Sequence, residues 1–528
     1  MARSAAPRCR LLNESPETER AHLSKQAAAD IETVAKGGAV QIIGQISARS
    51  VTFAFTFVAV RVLGRAAYGL YREVAAVLAI AGQLGLAGFN YASMRFIARS
   101  RAARNHGGVR GAAKVGLVGA GVASAVVVIG IVAGADLLAA AFAESPAQES
   151  DFARYFRIGA AYVPLFALMQ VLRYCTQGYK TMVPSVVAGN IIQPVARFVL
   201  GLGVLLAGFE VAGAVTSLVA SVGIGALAAA LFFRRMLTAD ERSAAPIAEP
   251  GAMVRFALPQ GGASLLGIQS LGLGVILLGI ASSNVQTALF GIALALQGPG
   301  TVFLGGIVNI WAPVVADLHA KGEMERLGSL YQTINRWIAT FSFPVFGALI
   351  LEPDVFVWMI AGGKGEGAAG VVAILAVGNF FYTGTGPTGY IISMTGRPGI
   401  NLANSVVAVA LYAGAGALVV HEHGAVGMAV VDAAVTALVN SARVVEAKIL
   451  LGVQPFGRSF VKPVIATLVG AAVLLAWRLV PGDDLWLDTV GICVAAAVYL
   501  GVLRALGLDA EERHVLDRIK ARAFRRGR

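Results

Sequence analysis

Apolar residues along the chain gather into fourteen blocks of about 20 to 25 residues, separated by short polar connectors. An α-helix rises 1.5 Å per residue, so about 20 apolar residues cross the ~30 Å hydrocarbon layer of a bilayer. The blocks run 38–62, 67–92, 115–136, 154–177, 183–207, 211–233, 256–281, 286–314, 328–351, 369–394, 400–420, 424–447, 461–480 and 485–503. Each predicts a membrane-spanning helix. A membrane β-barrel would instead need strands of about ten residues with alternating polarity, a period these blocks lack. The predicted class is an all-α polytopic membrane protein of about fourteen transmembrane helices.

Composition agrees with that reading and removes the soluble alternative. Of the 528 residues, 57% are hydrophobic and only 14% charged, with a mean hydropathy of +0.72, against roughly 25% charged residues in soluble domains. Cys9, Cys175 and Cys493 are scattered, so they predict neither a disulfide framework nor a metal set, and no cofactor is expected. Residues 1–36 carry several Arg and Lys with no apolar stretch before Ala39, which predicts a retained cytoplasmic segment without a cleaved leader.

Charge then orients the spans. The connectors on the side shared by the termini hold eighteen Lys and Arg, including Arg99, Arg101, Arg110, Lys114, Arg443 and Lys448, and the two tails add fourteen. The opposite connectors hold seven: Arg61, Arg65, Arg72, Arg154, Arg157, Lys364 and Arg478. By the positive-inside rule both termini lie in the cytoplasm of a bacterial inner-membrane protein. Four arginines remain within the spans: Arg49, Arg173, Arg197 and Arg336.

The two halves of the chain resemble each other. The stretch from Val62, VLGRAAYGLYREVAAVL, has a counterpart from Leu278, and Gly69 pairs with Gly291 at an offset of 222; Gly178 pairs with Gly396 at 218. Six spans separate the partners, so the halves share one orientation and form parallel-related six-helix bundles. The expected units are a cytoplasmic N-terminal segment 1–36, a first six-helix lobe 37–235 and a cytoplasmic linker 236–255. A second lobe 256–450, two extra helices within 451–508 and a basic cytoplasmic tail 509–528 follow.

An arginine at mid-bilayer costs about 2.5 to 3.5 kcal/mol by insertion scales, so these four predict a wet cavity. Helical spacing supports a polar face beside each. Gln41, Gln45 and Arg49 fall at i, i+4, i+8; Gln170, Arg173 and Gln177 at i, i+3, i+7; Asn190, Gln193 and Arg197 at the same interval, while Gln332, Asn335 and Arg336 cluster. Guanidinium forks grip phosphoryl oxygens two at a time, and amides can donate to sugars, so this set is the candidate substrate site. Asp432 and Glu73, the clearest acids at membrane depth, are candidates for ion coupling. Pro259, Gly261 and Gly262, with Gly384, Gly386 and Pro387, are candidate hinges.

The stretch VRVLGRAAYGLYREVAAVLAIAGQLGLAGFNYASMRFIAR, with LRYCTQGYKTMVPSVVAGNIIQPVARFVLGLGVLLAGFEVAGAV and RFALPQGGASLLG, resembles the Wzx-like polysaccharide biosynthesis proteins. These are the oligosaccharide flippases of the multidrug/oligosaccharidyl-lipid/polysaccharide exporter superfamily. The resemblance implies a V-shaped pair of lobes around a cavity of alternating access. It also implies a polyprenyl-pyrophosphate-linked saccharide as cargo, moved to the outer leaflet for cell-surface polysaccharide synthesis. The expected partners are that saccharide, membrane lipids, and polysaccharide polymerase or glycosyltransferases; no nucleic acid is expected, and the chain is expected to be a monomer. It does not read as an enzyme, and no residue is assigned as catalytic. Two alternatives stay open: a drug or cation antiporter of the same superfamily, which would call for cavity carboxylates, and a non-transporting scaffold for polysaccharide assembly.

Overall fold

The computed structural model describes residues 16–265, 272–482 and 485–507, and among these every regular element is a helix. The expected basic tail 509–528 lies outside the described residues, as does 1–15 of the N-terminal segment; the chain is already helical from Pro16.

Among the described residues, eleven helical stretches are long and apolar enough to cross a membrane. Two of them are far too long for one crossing. Helix α1, Pro16–Leu86, would extend over 100 Å if straight (about 1.5 Å per residue). Instead it reverses at Gly64, whose φ of 81° and ψ of 178° suit a residue without a Cβ. The rings of Phe55 and Tyr71, about 24 Å apart along a straight helix, lie 5.9 Å apart across this hairpin. Later in the chain, Pro398–Leu451 reverses at Gly424 (φ 51°), so that Asn404 hydrogen-bonds Glu446 at 2.6 Å. Each reversal joins two predicted spans, 38–62 with 67–92 and 400–420 with 424–447, by a single glycine.

Between these hairpins the helices are α2 (Phe89–Ala102), α3 (His106–Ala133), α4 (Ala135–Phe142), α5 (Pro146–Gly159), α6 (Tyr162–Gln177) and α7 (Val183–Val186). They continue as α8 (Gln193–Leu206), α9 (Glu210–Met236), α10 (Ala239–Ser243), α11 (Pro250–Leu265), α12 (Leu273–Ala281), α13 (Asn284–Ala320), α14 (Met324–Leu351), α15 (Pro353–Ala361), α16 (Ala368–Thr385) and α17 (Thr388–Met394). The second hairpin is α18, and α19 (Val461–Trp477) and α20 (Leu485–Ala505) end the bundle as an adjacent pair. The expected seventh span, 256–281, is divided between α11 and α12, with 266–271 outside the described residues.

Across the two halves of the sequence, α1 packs most extensively on α13. Close approach is built into that contact: a Cβ on Gly69 would sit 1.8 Å from the Asn284 carbonyl oxygen, and one on Gly291 would press on Arg72 at 3.1 Å. The two glycines paired by sequence therefore face the same seam from opposite sides.

The linker 236–255 is strapped to the first half. Arg110 donates from Nη1 to the Arg242 and Ala244 carbonyls, both at 2.8 Å, and the Ile247 N–H donates to the Gly107 carbonyl at 2.9 Å. Thr238 and Glu241 form a capping box at the start of α10. Glu241, 2% exposed, also meets Arg101 at 3.2 Å and accepts from the Tyr179 hydroxyl at 2.8 Å. Burial pushes its carboxyl up, but the Thr238 backbone N–H, the Tyr179 hydroxyl and the Arg101 guanidinium outweigh that and hold it below the usual carboxylate range.

Candidate functional site

A cavity of about 430 Å³ lies between α13, α16 and the two arms of α18, and α1 closes one side. Each wall is one face of a helix. Phe290, Leu294, Gln297 and Thr301 line it from α13 at helical spacing, as do Ser405, Ala408 and Tyr412 from the first arm of α18. The second arm contributes Asp432, Thr436, Asn440 and Arg443, at i, i+4, i+8 and i+11. Asn379 and Tyr382 project from α16, and Arg49 and Arg72 come from opposite arms of the α1 hairpin.

Three guanidinium groups and one carboxylate thus share the cavity wall. Arg49 is aimed by α13: its Nη1 donates to the Gly298 carbonyl at 3.0 Å and to Thr301 Oγ1 at 2.6 Å. Arg443 donates from Nη2 to Ser405 Oγ at 3.3 Å. The Nε groups of Arg72 and Arg443 are buried with no acceptor among the described residues. The Nε of Arg197, away from the cavity, is likewise buried without an acceptor among the described residues, so what marks the cavity is three guanidinium groups against one carboxylate on its wall. Asp432 lies within hydrogen-bonding reach of Tyr412 across the hairpin.

The structure gathers these side chains differently from the predicted stripe. Arg49 alone of the four predicted arginines lines the cavity. Arg173 is consumed in fastening α6 to the π-helical turn Val187–Ile192, donating to the Ser185 carbonyl at 2.9 Å and to Gln170 Oε1 and Asn190 Oδ1, each at 2.8 Å. Arg197 lies over the Phe55 ring, its Cζ 4.6 Å from the centroid, and donates to the Tyr71 hydroxyl, so it clamps α8 to both arms of α1. Arg336 is 5% exposed within α14. Arg173 and Arg197 thus have their partners on neighbouring helices rather than in the cavity.

The amides divide similarly. Gln45, on the Arg49 face one turn after Gln41, reaches the Gly305 carbonyl at 3.5 Å. Gln193 donates to Ser221 Oγ at 3.2 Å, and Gln332 packs against Gly457. Asn335 is fully buried and donates to the Gly384 carbonyl at 2.7 Å, buttressing one predicted hinge. That hinge is a real break, since α16 stops at Thr385 and Gly386 has φ +67° before Pro387 starts the next turn. At the other, α11 continues through Pro259, and Gly261 is pressed against Ala87 and Gly88 while Gly262 is exposed; the helix does not end before Leu265.

Sequence reasoning assigned Arg72 and Arg443 to connectors. Both lie inside predicted spans, 67–92 and 424–447, and the polar stripe Asp432, Thr436, Asn440 points straight at Arg443. That stripe was the available signal.

The family model described as polysaccharide biosynthesis protein matches residues 34–319, more than half of the 528. The chain belongs to this family. No curated protein matches it by sequence. Among solved structures, this polysaccharide biosynthesis family member is similar to the lipid II flippase MurJ in an inward closed conformation. That match has a TM-score of 0.71 and 9% identity over 88% of this chain and 97% of that one. A multidrug resistance MATE family transporter of the MOP superfamily, in an inward-facing conformation, aligns with a TM-score of 0.65 and 16% identity over 79% of this chain and 98% of that one. A MOP superfamily transporter from Pyrococcus furiosus aligns with a TM-score of 0.57 and 17% identity over 80% and 96%. The family member therefore has the MOP-superfamily transporter fold.

At the end of the bundle where α1 reverses, the same fold is sealed. Arg61 donates from Nε to the Ile360 carbonyl at 3.3 Å and from Nη2 to Trp358 and Met359 at 3.3 and 3.2 Å, satisfying the last carbonyls of α15. Arg65 donates to the Glu366 carbonyl at 3.1 Å, Lys364 donates back to the Arg61 carbonyl, and the Asn284 N–H donates to Glu144 Oε1 at 2.5 Å. Glu73 is fully buried at this seam, its carboxyl packed on Gly279 with the Thr287 hydroxyl beside it.

Proposed function

We propose that this family member carries a polyprenyl-pyrophosphate-linked saccharide from the cytoplasmic to the outer leaflet of the bacterial inner membrane by alternating access. The observation that carries this reading is the gathering of three guanidinium groups, those of Arg49, Arg72 and Arg443, against the single carboxylate of Asp432 on the wall of one cavity. A pyrophosphate diester brings two negative charges and several acceptor oxygens to that wall, and guanidinium forks match them. Asn379, Asn440 and Tyr382 then offer donors and an aromatic face to the sugars next to the phosphate. Both termini lie in the cytoplasm, so an anion leaving a negative interior gains about 2.3 kcal/mol per charge per 100 mV, and consumption of the product outside draws transport onward.

The carboxylates of Asp432 and Glu73 are the places where a cation or proton would couple to this movement. Asp432→Asn should then alter any pH or sodium dependence of transport; unchanged dependence removes Asp432 from that role.

The test is reconstitution in liposomes with a polyprenyl-pyrophosphate saccharide, its leaflet read by an impermeant sugar-modifying reagent. Movement should require the protein and fall at least tenfold in Arg49→Ala/Arg443→Ala. Movement that is the same with and without protein overturns the proposal, and protein-dependent efflux of a cationic drug with no lipid movement would assign the antiporter reading instead.

A further inference from the structure

A second pocket, of about 390 Å³, lies away from the central cavity, between α3, the end of α9 and the strapped linker. Its mouth carries two cations, Arg110 and Lys114, one helical turn apart on α3. Leu117, Val118 and Phe233 form its apolar floor, and Pro246 of the linker covers it. No acidic residue is among those lining it; the nearby linker acids Glu241 and Glu249 are already paired with Arg101 and Arg99. Arg110 is held in place through Nη1 alone, and Lys114 is exposed with no hydrogen-bond or ion-pair partner among the described residues.

The face that bears these cations continues along α3 as Val118, Val122, Val126 and Ile129, which are 56%, 62%, 65% and 67% exposed. Arg110 to Ile129 spans about 28 Å of helix, close to the hydrocarbon thickness. A cationic mouth therefore opens directly onto a lipid-facing apolar stripe, at the end of the bundle that carries the linker. We propose that this pocket holds the headgroup phosphate of an anionic phospholipid of the cytoplasmic leaflet, with its acyl chains along the exposed stripe of α3. A soluble phosphate or an acidic peptide would match the two cations but would leave the adjoining valines unaccounted for. A lipid matches both parts. Bound beneath Pro246 and beside Arg110, it also adds a tie between the linker and the first half.

Native mass spectrometry of the full-length protein from micelles containing equal phosphatidylglycerol and phosphatidylcholine reads occupancy directly, without any transport step. Wild-type protein should retain phosphatidylglycerol preferentially. Lys114→Gln should lower that preference about fivefold, the weight of one basic residue at an anionic surface. Lys114→Arg should keep it, as should Lys448→Gln, an exposed lysine elsewhere on the same charge-rich side. Val118→Trp, which fills the pocket from a lipid-facing position, should displace the lipid without disturbing a core. Equal retention of the two lipids, or no change in Lys114→Gln and Val118→Trp, overturns the proposal. So does displacement by glycerol phosphate as effective as that by the intact lipid, which would make the site one for a soluble anion.

Discussion

One pair of helices builds two opposite environments. At the end where α1 reverses, α1 and α13 meet through Gly69 and the Asn284 backbone, and Arg61, Arg65 and Lys364 bind backbone carbonyls between α1 and the segment of α15 to Glu366. Further along, the same two helices stay in contact, with Arg49 bonded to Gly298 and Thr301, while Arg49 and Arg72 also line the cavity. At the seam Arg61, Arg65 and Lys364 are each matched by a backbone carbonyl, which is a short-range and geometrically demanding bond. In the cavity, charge is held in readiness by a few anchoring contacts. Arginine is thus placed in two ways along α1: bonded to backbone carbonyls at the reversing end, or set on the wall of a cavity, where we propose that it meets a ligand.

The largest expected effect separates these uses. Arg443→Ala and Arg72→Ala should each lower apparent affinity for the lipid-linked saccharide about 10- to 100-fold, as loss of a charge-assisted bond implies, in a liposome transport titration. Arg173→Ala should instead cost about 3 kcal/mol of stability by stranding three acceptors, visible as a lower melting temperature in micelles, with little change in transport per folded molecule. If Arg173→Ala abolished transport at unchanged stability, the division between structural and ligand-directed arginines would collapse.

Smaller effects should sharpen the seam. Gly69→Val cannot form the contact with Asn284, so the outer end should stay open and a cysteine placed at Thr301 should be labelled from outside about tenfold faster. Arg61→Ala, which removes only the carbonyl bonds to α15, should raise that labelling a few-fold. The smallest effect concerns the linker. The folded value of Glu241 lies below its unfolded one near 4.3, so its stabilisation is present above that value and fades as pH falls through the lower, folded value. Hydrogen exchange of 239–247 should therefore rise only on strong acidification, and not between pH 7 and 5.

Much of this was legible in the amino-acid sequence, because hydrophobic blocks report bilayer crossings with little interference from tertiary detail. The seam cations Arg61, Arg65 and Lys364 were sorted to one face by charge alone, and the structure brings them together. The cavity was read less well. Periodicity places Arg173 and Arg197 beside amides but cannot say which neighbours consume the guanidinium, which depends on α6 meeting the turn at Val187–Ile192 and α8 meeting the α1 hairpin. Conversely, Arg72 and Arg443 sit near span ends, where a charge is usually counted as interfacial, although helix packing turns both inward. Pro259 was read as a bend from residue type, and it lies inside α11, which runs on through it to Leu265.

The single-glycine turn at Gly64 has a mechanical corollary. A connection of one residue between two membrane-length arms leaves no slack, so the arms of α1 cannot slide or splay independently about their tip. Arg49 and Arg72, on opposite arms, must then travel with Arg61 at the apex as parts of one lever. Any tilt that pulls Arg61 from the end of α15 would reposition both cavity guanidiniums at once, so release of the seal and reshaping of the cavity wall would be a single motion rather than two that must be synchronised.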